Sequence, residues 1–133
     1  MSGIDDLQTL VEEMSPRLLR QSFCFIHKPL SRYGDFSVLR PIASFQEKEG
    51  LTLVIPREAA VESGFAAAPV FSCLTLGVHS ALTSVGLTAI VSSRLAEQGI
   101  SVNVIAGYFH DHFFIPEADA RRALAVLQSM AAG

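Results

Sequence analysis

Tryptophan is absent from this 133-residue chain, cysteine occurs twice, and charged residues make up only 17%. So little charge beside 50% hydrophobic residues excludes a disordered chain, in which that balance is reversed. No apolar run approaches the ~18–20 residues of a membrane span, so no membrane partner is expected. A basic excess is also missing. Ten Lys and Arg face thirteen Asp and Glu, for a net charge of −3, and the scattered basic residues argue against a nucleic-acid partner. The start, Met1-Ser2-Gly3-Ile4-Asp5-Asp6, has neither the basic nor the apolar stretch of a secretory signal, which predicts a cytoplasmic protein. Cys24 and Cys73 lie in separate apolar runs without Cys-x-x-Cys spacing and read as reduced, buried thiols.

What is present is a series of short, alternating elements. Ser2 stands three residues before Asp5, a variant capping box, and Ile4, Leu7, Leu10, Val11 and Met14 follow at helical spacing. Pro16 ends that helix. The aromatic and apolar stretch 21–28 predicts a strand, and 29–40, with Pro29, Gly34 and Asp35, an irregular segment. Two strands at 41–47 and 51–55 flank a turn in which Gly50 takes positive φ. Pro56 opens a helix that Gly64 stops. A second series then begins: a strand over 69–78, a helix over 82–98 with Leu87, Ile90, Val91 and Leu95 on one face, and Gly99 as its left-handed cap. A strand over 100–108, a tight turn at His110-Asp111, a strand over 112–115 and a helix from Glu117 to Met130 complete the chain.

The two series align. Leu53-Val54-Ile55-Pro56-Arg57-Glu58-Ala59-Ala60 matches Phe113-Phe114-Ile115-Pro116-Glu117-Ala118-Asp119-Ala120 at an offset of sixty. Helix, strand, strand, helix occurs twice, which points to an internal duplication with halves 1–65 and 66–133. The fold class expected is α+β, with antiparallel sheets covered by helices on one face. Six strands are counted where two complete units need eight, so the halves are expected to share or exchange a strand around 69–78.

The run from Ser84-Val85-Gly86-Leu87-Thr88-Ala89-Ile90 through Leu95-Ala96-Glu97-Gln98-Gly99-Ile100-Ser101-Val102-Asn103-Val104-Ile105 resembles the ACT domain, a ferredoxin-like βαββαβ unit. With His110-Asp111-His112 and the Ile-Pro that follows, the whole chain is similar to small tandem ACT proteins, to parts of CASTOR-type arginine sensors and to the regulatory domains of aspartate kinase. The resemblance is strong over 74–130 and weak before Arg40. It implies a regulatory module that binds a small amino acid where two units meet and acts on a regulated enzyme or other protein, and the need to pair strand edges predicts a homodimer. The implied ligand-binding residues are His79, Ser84, Val85, Gly86, Leu87 and Thr88, around the loop and helix start after a first strand, with Asn103, Val104 and Ile105 on the facing strand. There the free N–H groups of a helix start hold a carboxylate without a charged side chain. On the residues alone, Gly86 serves equally well for close helix–sheet packing, with Ser84 as a plain cap.

Other chemistries find less support. His110 and His112 share one face of an extended chain, and with His79 they would make a metal site, but a turn at His110-Asp111 breaks that alternation and makes a polar hairpin tip. Tyr108, Phe109, Phe113 and Phe114 invite comparison with an RNA-binding sheet, yet alternation buries half of them and no basic motif surrounds them. No Gly-x-Ser-x-Gly elbow, phosphate-binding loop or dinucleotide fingerprint occurs, so neither catalysis nor a cofactor is expected. The alternatives to an amino-acid binder are a protein–protein interaction module without ligand and a histidine-based metal-binding protein.

Overall fold

A computed structural model describes residues 6–133. Its elements run α1 (Leu7–Glu12), β1 (Pro16–Lys28), β2 (Ala43–Glu47), β3 (Gly50–Pro56), α2 (Arg57–Glu62), β4 (Phe71–Leu76), α3 (Leu87–Glu97), β5 (Asn103–Ala106), β6 (Asp111–Pro116) and α4 (Ala120–Ala132), with short 3-10 turns at Ser37–Leu39 and Glu117–Asp119. The fold is α+β with antiparallel strand pairing, as expected. Two compact units form: one joins Met1–Arg20 to Ser72–Gly133, and the other is Gln21–Phe71. They are called the C-terminal and central units below.

In the C-terminal unit the strand order is β1-β4-β6-β5. Leu74 and Leu76 on β4, and Phe113 and Ile115 on β6, are two residues apart, so each pair faces one side of the sheet. They meet Leu10, Val91, Leu95, Ala123 and Leu127 of α1, α3 and α4 in one buried cluster. Leu87, Val91 and Leu95 recur every four residues, which aims them from one face of α3. The helix ends as the sequence predicts. Gly99, at φ +71°, lets its own N–H reach Ala96 C=O at 2.9 Å and the Ile100 N–H reach Leu95 C=O at 3.0 Å, a Schellman cap.

In the central unit the order is β2-β3-β1. β3 pairs antiparallel with β1, Phe23 opposite Pro56 through Lys28 opposite Leu51. It also pairs with β2, Glu47 opposite Gly50, so Lys48-Glu49 is a two-residue hairpin loop. Cys24 and Ile26 alternate on β1 as Leu51, Leu53 and Ile55 do on β3, and these side chains pack with Ala59 and Ala60 of α2. Both cysteines are buried.

The structure departs from the sequence reading in several places. The Ser2 cap lies outside the described residues; α1 is capped by Asp6, whose carboxylate accepts from the Thr9 N–H at 3.0 Å and the Thr9 hydroxyl at 2.7 Å. β1 begins at Pro16, not residue 21, because proline is tolerated as the first residue of a strand. The order helix-strand-strand-helix does not occur twice. α1 packs with α3 and α4, and between β1 and β2 the first half has only the 3-10 turn where the second half has α3. Two strands are divided between the units: β1, with Pro16–Arg20 in one and Gln21–Lys28 in the other, and β4, within the expected 69–78, whose first residue Phe71 falls in the central unit. What does repeat is strand, strand, helix: Pro56 and Pro116 both stand before the helical turn in extended conformation, at φ −56°, ψ 140° and φ −49°, ψ 133°.

Candidate functional site

The site is built on the segment between β4 and α3. Its start is tied down where the Gly77 N–H donates to Ser15 C=O at 3.0 Å and the Val78 N–H to Met14 C=O at 3.3 Å. The segment then turns at 81–84, where the Ser84 N–H reaches Ala81 C=O at 2.9 Å. The helix starts at Leu87, five residues later than the sequence suggests, because Leu82 and Val85 face outward, 64% and 80% exposed, and cannot serve its buried face. Gly86 is the N-cap residue at φ +104°, ψ −23°, with no side-chain cap. That backbone favours glycine. The first N–H groups of α3 therefore have no partner from a capping side chain.

Around this helix start lies a cavity of about 120 Å³. Ser84, Gly86, Leu87 and Thr88 line it, four of the residues the sequence singles out. Ser80, Ala81 and Leu82 of the preceding segment, Ala106 at the end of β5 and Asp111 at the start of β6 complete the lining. The volume is below the ~300–1,000 Å³ of ordinary ligand pockets, which suits only a small molecule. Val85 faces away into solvent, and the remaining expected residues lie elsewhere. His79 packs against Phe109 with the rings tilted by 51° and their centroids 5.0 Å apart. Asn103 is exposed at the far end of β5, and Val104 and Ile105 are half-buried along it.

The sequence reading missed Ser80 and Asp111. Ser80 is 7% exposed, and its hydroxyl donates to Asp111 Oδ2 at 3.1 Å. Thirty-one residues separate them, so no local motif links them; the available signal was a serine ending an apolar strand and an aspartate opening another. Asp111 itself belongs to β6. The turn before it is Gly107–His110, closed by the Gly107 N–H on His110 C=O at 2.9 Å, and not His110-Asp111.

The neighbouring histidines are engaged away from the cavity. His112 Nδ1 shares a hydrogen bond with Thr75 Oγ1 at 2.9 Å. Burial holds the His112 ring below its ordinary value, helped by the nearby His110 charge and opposed by Asp111. His110 Nδ1 donates to Val78 C=O at 3.3 Å. Burial also pushes the Cys73 thiol up, against its contact with Thr75. Among the described residues no group of three His, Cys, Asp or Glu is placed to hold a metal ion. The arrangement is that of a small, partly polar cavity at a helix start. No helix among the described residues is long and apolar enough to cross a membrane.

A strand, a loop into a helix, a strand hairpin and a closing helix define a βαββα unit in the second half, and a shorter version precedes it. Residues 2–72 match the ACT domain, and residues 70–129 match it again. The chain belongs to the ACT-domain family, as a tandem protein. Among solved structures it is similar to a Vibrio cholerae protein of unknown function, described as a possible transport protein: 45% identical, covering 98% of this chain and 99% of that one, with a TM-score of 0.85. The regulatory subunit of aspartate kinase from Thermus thermophilus shares the fold at 13% identity over 90% of this chain and 98% of its own, TM-score 0.61. An Agrobacterium tumefaciens protein does so at 16% identity, 88% of each chain, TM-score 0.62. No curated protein matches. Family membership supports a ligand-binding regulatory module.

Proposed function

We propose that this chain is a non-catalytic regulatory module of the cytoplasm that binds a small amino acid in the cavity at the start of α3. The observation that carries the reading is that cavity. It combines about 120 Å³ of space, the first N–H groups of an eleven-residue helix that no capping side chain takes up behind Gly86, and the polar side chains Ser84 and Thr88. A ligand carboxylate is held there by backbone dipoles. On this reading residues 1–65 and 66–133 descend from one duplicated unit. Two copies associate so that edge strands such as β5 gain partners, which brings Asn103, Val104 and Ile105 to the interface, and the signal passes to a regulated enzyme in trans.

A thermal-shift screen of the full chain against the twenty amino acids, common nucleotides and divalent metals tests this. A ligand present at about 100 times its dissociation constant stabilises the native state by about 2.7 kcal/mol. The expected result is a shift with one or a few small amino acids, lost in a folded Gly86→Val variant. Retained affinity in that variant places the site elsewhere. A screen without any shift favours a ligand-free interaction module, a reading to which the exposed Leu82, Val85, Tyr108 and Phe109 lend support.

A further inference from the structure

We infer that Asp111 is the specificity-determining group of this cavity and selects ligands that carry an ammonium group. The inference rests on the cavity being the ligand site, as proposed above, and adds the residue that reads the ligand's ammonium group.

Asp111 is the only charged side chain among the described residues that line the cavity. Ser80 orients it: the serine is buried, and its hydroxyl donates to Oδ2. An ionised carboxylate offers about four acceptor positions, so one hydrogen bond leaves most of them for a ligand. The cations that could neutralise the carboxylate face elsewhere. His110 and His112 flank Asp111 in sequence, and successive side chains of an extended chain point to opposite sides. His112 accordingly meets Thr75, and His110 donates to Val78 C=O. Burial holds the His112 ring below its ordinary value, and among the described residues no Lys or Arg lines the cavity.

The cavity thus has two electrical ends. The helix start of α3 favours negative charge, and Asp111 on β6 favours positive charge. A zwitterion satisfies both, its ammonium making charge-assisted bonds to the carboxylate. A carboxylic acid without an amine satisfies one end and sets its anion beside Asp111, which is repulsive. The small volume then restricts the class to amino acids with short side chains.

Three probe groups test this by titration calorimetry on the full chain: the zwitterions glycine, L-alanine and L-serine; the amine ethanolamine; and the carboxylates glycolate and propionate. The expected result is binding of a zwitterion at least about tenfold tighter than the matching carboxylate, with a comparable loss for that zwitterion in Asp111→Asn. Propionate binding as tightly as L-alanine refutes the role of Asp111 while leaving the cavity as the site. So does unchanged zwitterion affinity in a folded Asp111→Asn variant. The comparison of ligands on the unaltered chain holds even where the variant does not fold. If none of the probes binds, the cavity reading and this inference fall together.

Discussion

Replacing Gly86 by alanine tests the geometry at the heart of the site without any ligand. Its backbone, at φ +104° and ψ −23°, lies outside the right-handed and extended regions open to L-residues. Holding alanine in a left-handed conformation costs about 1–2 kcal/mol. Stiffening of the unfolded chain opposes this by about 0.4–1 kcal/mol. A Cβ at this position also meets Leu7 Cδ2 at 3.2 Å and Cδ1 at 3.5 Å. That contact falls on the end of a flexible side chain which can move aside, so it adds only a few tenths of a kcal/mol to the backbone cost, on the order of one lost packing contact. The net expectation is a destabilisation of about 0.3–2 kcal/mol, centred near 1 kcal/mol, or a fall in Tm of roughly 1–8 °C for a chain of this size. Thermal and urea unfolding followed by circular dichroism measure it. Gly99→Ala is the control, because Gly99 is also left-handed, at φ +71°, with nothing within 4 Å of its Cβ. Repeating Gly86→Ala in a Leu7→Ala background isolates the contact in a double-mutant cycle. A Gly86→Ala protein as stable as the parent, or more so, refutes the reasoning, since it means that the backbone there is open to ordinary residues.

Two further outcomes follow from other residues. Gly50→Ala should destabilise more than Gly86→Ala, by about 3 kcal/mol or more in urea unfolding, because its Cβ falls 2.6 Å from Lys28 C=O and 2.9 Å from Pro29 Cα, backbone atoms that cannot turn aside, at φ +141°. His112 has its folded value lowered below 6.5, chiefly by burial. Its neutral form therefore contributes stability that is present above pH 6.5 and lost as pH falls towards the folded value. Melting temperatures between pH 8 and pH 5 should decline less steeply in a His112→Gln variant than in the parent, and equal slopes would show that the ring does not govern this range.

Much of this fold was legible because period and punctuation agree. Alternation at Leu51, Leu53 and Ile55, the helical spacing of Leu87, Val91 and Leu95, and Gly99 after the last turn each specify one local structure, and each is found. The matched prolines at 56 and 116 mark the same strand-to-helix boundary. The start of β1 was hidden because Arg17 and Arg20 interrupt the apolar pattern around Leu18 and Leu19. The helix start at Leu87 was hidden because Leu82 and Val85 continue the apolar spacing while facing solvent. At the candidate site, the helix side was readable from Ser84, Gly86, Leu87 and Thr88, which are neighbours in the chain. The Ser80–Asp111 pair was not, since only tertiary pairing brings β4 and β6 together.

The division of β1 also bears on how the protein is made. Its first five residues and α1 pack with Ser72–Gly133, while its last eight belong to Gln21–Phe71. On the ribosome the whole of Gln21–Phe71 is present once Phe71 has emerged, so its internal contacts need no later residue. Residues up to Arg20, synthesised first, find their packing partners last, after the chain has grown through α4. At about 5–20 residues per second, that leaves the apolar face of α1, with Leu10 and Met14, waiting for roughly 6–24 s. A nascent chain arrested before α4 should therefore hold a native central unit and an exposed amino-terminal segment, the natural point of contact for a chaperone.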